Sequence, residues 1–83
     1  MDIYDMKKWQ DIYTEVNEGW IPNWSDKTEL KYYLYKNFIG NLYYIDIETV
    51  KYIPGVYYFK SQKAAAKAYE ILKKIGLIKE ELV

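Results

Sequence analysis

Ile3, Met6, Trp9, Ile12 or Tyr13, and Val16 recur at three- and four-residue spacing and form one apolar stripe. That period predicts an amphipathic helix over about residues 4–17. Asp2 stands where an N-cap belongs, Asp5 lies near the positive end of the helix dipole, and Gly19 supplies a stop. The period then breaks at Gly19-Trp20-Ile21-Pro22-Asn23-Trp24-Ser25-Asp26-Lys27. Pro22 biases Ile21 to extended backbone and Asn-Trp-Ser-Asp is turn chemistry, so this stretch reads as a loop. Its two tryptophans either fold back to plug the ends of a small core or stand as an aromatic rim for a partner.

From Leu30 the period is two. Leu30, Tyr32, Leu34 and Phe38 alternate with Lys31, Tyr33, Tyr35 and Asn37, which predicts a half-buried strand over about residues 30–38. Ile39-Gly40-Asn41 makes a hairpin connection to a second strand, about 42–50. There Tyr43, Ile45, Ile47 and Thr49 face one way and Tyr44, Asp46 and Glu48 the other. Lys51-Tyr52-Ile53-Pro54-Gly55 is a turn, and a third strand follows at about 56–60, with Tyr57 and Phe59 inward and Tyr58 and Lys60 outward. Ser61 caps a second helix over about 62–75 that ends at Gly76. Ala64, Ala65, Ala66 and Ala68 let it lie close to the sheet, Tyr69, Leu72 and Ile75 continue the buried stripe, and Lys63, Lys67, Glu70 and Lys74 form the wet face. Leu77 to Val83 read as a frayed extra turn.

The expectation is therefore a single α+β domain of order α-β-β-β-α, a three-stranded antiparallel meander with the helices on one face. If the helices cover Leu30, Leu34, Ile45, Ile47 and Phe59, the opposite face is left to Lys31, Tyr33, Tyr35, Tyr44, Asp46, Glu48, Tyr58 and Lys60. Four phenols flanked by charges of both signs suit a protein interface, where tyrosine is over-represented. They also suit a sheet stabilised by cross-strand tyrosine pairs.

Composition removes several alternatives. The 83 residues hold 11 Tyr, 3 Trp and 2 Phe, and they lack Cys, His and Arg, so all 12 basic residues are lysine. Without Cys or His there is no disulfide framework, no imidazole proton shuttle and none of the usual zinc, copper or iron ligand sets. No metal and no cofactor is expected, and no catalytic residue is assigned. The glycines Gly19, Gly40, Gly55 and Gly76 all fall at element boundaries, so none builds a phosphate loop. Asp46 and Glu48 sit two apart on one strand face, but general acid–base work needs a pocket that splits their pKa values. Net charge is zero, with seven acids against three lysines in residues 1–29. No apolar run approaches the roughly 18 residues of a membrane span, and the acidic start Met1-Asp2-Ile3-Tyr4-Asp5 lacks the basic end and apolar core of a signal peptide. The reading is of a soluble, cytoplasmic protein that acts by binding, without a membrane.

Trp20-Ile21-Pro22-Asn23-Trp24-Ser25, then Lys31-Tyr32-Tyr33-Leu34-Tyr35, then Tyr57-Tyr58-Phe59-Lys60-Ser61 running into an alanine-rich helix resemble a loose set of small phage and prophage proteins. Those share a W-x-P-x-W loop, a KYY-type strand and a YFKS-to-helix joint. The likeness covers roughly residues 19–73 and transfers no functional residues. It implies a context, a mobile element in an A+T-rich bacterial host, and with it a protein that binds and inhibits a host protein such as a CRISPR or other defence nuclease. On this reading the contact residues are Trp20, Trp24, Tyr33, Tyr35, Tyr44 and Tyr58. A single-stranded nucleic-acid platform built on the tyrosine face is the rival, weakened by Asp46, Glu48 and the missing arginines. A self-associating homodimer with a structural or regulatory role is the third reading, since a thin core and an aromatic face invite pairing.

Overall fold

The first helix, α1 (Ile3–Asn17), buries Ile12 and Val16 and leans Trp9 and Tyr13 on the same core. The computed structural model describes residues 3–37, 39 and 42–83, and the side chains of these residues except Ile3 and Tyr4. The N-cap expected at Asp2 and the Gly40-Asn41 part of the hairpin lie outside the described residues. Met6, expected in the buried stripe, is 51% exposed and lines a surface hollow with Tyr52, Gly55, Val56 and Tyr57. The stop works as expected. Glu18 and Gly19 both adopt positive φ (51° and 86°), and the Trp20 N–H donates to the Asn17 carbonyl at 2.9 Å.

Strands β1 (Lys31–Asn37) and β2 (Leu42–Glu48) form an antiparallel hairpin in the register Tyr33–Asp46 and Tyr35–Tyr44. The third strand, β3, is only Tyr58–Phe59. It pairs antiparallel with β1 through Tyr32–Phe59 and Tyr33–Tyr58, so the order across the sheet is β2-β1-β3. The sheet is antiparallel as expected, but it is not a sequential meander. Since β2 and β3 both run against β1 they are parallel to each other, and parallel strands need a crossover rather than a tight turn. Residues 49–57 supply it. The Glu48 carboxylate accepts from the N–H groups of Thr49, Val50 and Lys51 (3.0–3.2 Å), which ends β2 two residues early and turns the chain away from the hairpin. Gly55 (φ 84°) and a Val56 N–H to Ile53 carbonyl bond then reverse it. With the ladder shortened, Asn17 (1% exposed) bridges β3 as a neighbouring strand would. Its amide donates to the Tyr58 carbonyl and its oxygen accepts from the Lys60 N–H, both at 3.0 Å.

Helix α2 (Gln62–Lys74) starts at Ser61, whose hydroxyl accepts from the Ala64 N–H at 3.0 Å. Ala64, Ala65, Ala68, Tyr69 and Leu72 are buried. The helix closes on Gly76 (φ 86°) with the Gly76 N–H on Lys73 and the Leu77 N–H on Leu72, a Schellman arrangement. That turn leaves Ile75 46% exposed and sends Ile78 (2% exposed) back into the core. The tail is consequently extended, not the frayed helical turn expected of Leu77–Val83. Tyr43 donates to Glu81 at 2.8 Å and accepts from Val83 at 2.9 Å, a parallel bridge that lays Leu82 beside the edge of β2. The Tyr69 hydroxyl fixes the tail by donating to the Glu80 carbonyl at 2.7 Å.

Both helices pack on one face of the sheet, around Phe59, Leu34, Ile45, Tyr32 and Tyr43. Leu30 and Ile47, expected inside, are each 47% exposed. Leu30 precedes β1, and Ile47 lies opposite Tyr32 on the side of β1 away from β3 and Phe59. Among the described residues no helix is long and apolar enough to cross a membrane.

Candidate protein-binding face

The face of the sheet turned away from the helices carries Lys31, Tyr33 and Tyr35 from β1, Tyr44, Asp46 and Glu48 from β2, and Tyr58 from β3. Strand alternation therefore put the expected tyrosines together. What the alternation does not set is which of them reach solvent, and here the face divides in two.

One half is roofed. The crossover and the loop after α1 meet over β3, and Tyr58 is 2% exposed beneath them. The Trp24 ring stands on edge to Tyr58 at 4.8 Å between centroids and to Tyr52 at 5.5 Å, while Tyr33 meets Tyr58 at 5.6 Å. The Ile53 N–H donates to the Tyr58 hydroxyl at 3.1 Å. Lys31, expected as a solvated flank of the tyrosines, is 0% exposed under this roof. Its ammonium donates to the carbonyls of Asp26, Glu29 and Thr49 at 2.9, 3.1 and 3.2 Å. It also pairs with the Glu29 carboxylate at 3.4 Å and lies 4.8 Å from the Trp24 ring centroid. Burying an ammonium is tolerable only when its protons are all taken, and these three carbonyls take them.

The loop that brings Trp24 and the carbonyls there is shaped by its own short polar side chains. Asn23 accepts from the Ser25 N–H at 3.0 Å, and Asp26 accepts from the Thr28 N–H and hydroxyl at 2.9 and 2.6 Å. The Thr28 hydroxyl, foremost, holds the Asp26 carboxyl below the usual range. Glu29 reaches back to the Asn23 N–H at 2.8 Å. Trp20 is not part of this cluster. It is half-buried and lines a shallow hollow with Tyr13, Thr14, Gly19 and Ile21.

The other half is open. Tyr35 is 48% exposed, its ladder partner Tyr44 is half-buried, and Asp46 is exposed. The Tyr33 hydroxyl donates to one Asp46 oxygen at 3.3 Å, and the other oxygen accepts the Ile47 N–H at 2.8 Å. Burial first, and the Asp46 charge second, push the Tyr33 phenol up from its ordinary value. The backbone N–H groups of Lys51 and Val50 hold the Glu48 carboxyl below the usual range, so it stays ionised. Lys60, the other expected cationic flank, is drawn off to Glu18 at 2.8 Å. Of the six residues expected to make contact, the structure thus sets Trp24 and Tyr58 in the packed half and leaves Tyr35 and Tyr44 open. Tyr33 stands between the halves and Trp20 apart from both.

On the helix side, a pocket of about 240 Å³ is lined by Trp9, Leu34, Lys36, Tyr43, Val56 and Tyr57, among others. Its one charged lining residue, Lys36, is paired with Glu80 at 3.4 Å. Among the described residues no group of three or more acidic side chains is placed to hold a metal ion. Sequence reasoning missed the roles of Asn17, Tyr52 and Lys31. For Lys31 the available sign was Asp26 and Glu29 just upstream; Tyr52 and Asn17 act through contacts distant in sequence and gave none. No family model matches the chain, and no match was found among curated proteins or solved structures.

Proposed function

We propose that the chain is a non-catalytic protein-binding module whose contact surface is the open half of the outer sheet face, centred on Tyr35 and Tyr44. The observation that carries this reading is the contrast within one face of the sheet. Tyr58, at the centre of the ring cluster, is buried at 2% exposure, whereas Tyr35 stays 48% exposed and, among the described residues, takes no part in that cluster. A tyrosine ordered by a sheet loses little further freedom on docking and brings both an apolar ring and a hydroxyl. The resemblance to phage proteins is what supports the kind of partner proposed: a host protein, and among host proteins a defence nuclease that the module inhibits by covering a working surface.

The test is affinity capture from a lysate of an A+T-rich bacterial host, with the wild-type chain and the Tyr35→Ala/Tyr44→Ala double variant as parallel baits. The reading expects one host protein recovered near 1:1 by the wild type and lost by a folded double variant. Equal recovery by both baits, or by neither, contradicts it.

A further inference from the structure

We infer that the surface this face takes is basic and presents an arginine, whose guanidinium stacks on the tyrosine pair Tyr35 and Tyr44 and pairs with Asp46; the inference rests on the docking reading above. The first ground is the sign of the face. In sequence it carries lysines and carboxylates alike, but the fold withdraws the lysines. Lys31 is 0% exposed with its ammonium bound to three carbonyls, and Lys60 is held by Glu18 at 2.8 Å. The acidic side chains that the face still presents are those of Asp46 and Glu48. The exposed Lys51 lies past the end of β2, where its charge is felt by Glu48. An acidic, aromatic patch on a chain of zero net charge is complementary to a local basic surface and repels a phosphate backbone.

The second ground is the geometry of the carboxylate. Asp46 is oriented from both sides, by the Ile47 N–H at 2.8 Å and the Tyr33 hydroxyl at 3.3 Å. Each oxygen keeps a lone pair free, and a planar fork of N–H donors matches two such lone pairs. On the same face Tyr44 lies two residues from it along β2, and Tyr35, opposite Tyr44, lies diagonal to it on β1. A guanidinium satisfies rings and carboxylate together by stacking and bidentate bonding, which an ammonium does not. The third ground is that the rival route is obstructed. The β2 edge is occupied at Tyr43 by the tail and capped at Ile47 by Asp46, so a strand added to it meets an interrupted ladder. Recognition falls to the side chains of the face.

The probe is a decapeptide of alternating Arg and Gly, titrated at low salt while backbone amide shifts are followed by NMR. Its Lys-Gly and Glu-Gly counterparts and an oligothymidylate serve as comparisons. The Arg peptide is expected to shift Tyr35, Tyr44 and Asp46 saturably, with the Lys peptide weaker. Asp46→Asn/Glu48→Gln, which keeps the oxygen acceptors that cap the backbone, should weaken Arg-peptide binding roughly fivefold or more. No shift at these three residues, equal binding by the neutralised variant, or the same shifts from the Glu peptide or the oligothymidylate overturns the inference. Capture of a host protein through Tyr35 and Tyr44 is read in a separate experiment, so failure of the arginine inference and failure of the docking reading are told apart.

Discussion

Tyr58 and Tyr35 stand on the same face of the same three-stranded sheet, yet one is 2% and the other 48% exposed. Both tyrosines stand in tyrosine-rich stretches, Tyr32-Tyr33-Leu34-Tyr35 and Tyr57-Tyr58. The difference lies in the path of residues 49–57. Because β3 pairs with β1 rather than β2, the chain must cross the sheet, and Tyr52 and Ile53 come down beside Tyr58 as it does so. Trp24 and the buried Lys31 complete that half from the other loop. A crossover over one end of a face makes a second small core there and leaves Tyr35, at the other end, far more exposed than Tyr58. Aromatic residues of one type thereby divide into those that hold the fold and those that remain available.

The sharpest way to break this comparison is to remove the buried ammonium. Lys31→Met leaves three carbonyls and Glu29 without their donor and should cost about 3–5 kcal/mol of stability, read from urea denaturation. Trp24→Ala should cost roughly 3 kcal/mol, as large-to-small aromatic truncations in packed sites do. Asn17→Leu tests the edge of the same region from below. It leaves the Tyr58 carbonyl and Lys60 N–H buried without a partner, at about 2 kcal/mol.

Next in size is the response to alkali. Burial, the first cause in each case, raises the Tyr13, Tyr33, Tyr43 and Tyr58 phenols above their ordinary value of 10.0. The folded state then holds these protons more tightly than the unfolded state. Stability is therefore fully present below pH 10 and is lost as pH rises through the folded-state values. Denaturation midpoints measured from pH 8 to 12 should fall only above about pH 10, with phenolate absorbance rising in the same transition. A fall beginning near neutrality would contradict the assignment. The smallest effect belongs to the open half: Tyr35→Ala and Tyr44→Ala should each change stability by no more than about 0.5–1 kcal/mol.

Much of this architecture was legible in the chain. The period of 3.6 located α1, Ser61 and Gly76 bounded α2, and the alternation after Leu30 placed Tyr33, Tyr35, Tyr44 and Tyr58 on one face. These signals are local, and side-chain direction follows from backbone geometry. The strand order and the tail were not legible. β3 could pair with either side of the hairpin on local pattern alone, and two residues of ladder decide it together with Asn17, which reaches 41 positions along the chain to Tyr58. The burial of Lys31 followed from the same cause, since lysine on a strand reads as solvent-facing until a loop is known to close over it. The candidate site was thus half legible: its face came from alternation, its open half only from the crossover.

The central claim is that Tyr35 and Tyr44 serve binding and not folding, and one paired measurement on the Tyr35→Ala/Tyr44→Ala variant tests it most directly. Its urea midpoint and its affinity for the host protein captured by the wild type should be measured side by side. The account predicts stability within about 1.5 kcal/mol of wild type and affinity lower by on the order of a hundredfold or more. Substantial loss of stability with affinity intact would contradict it.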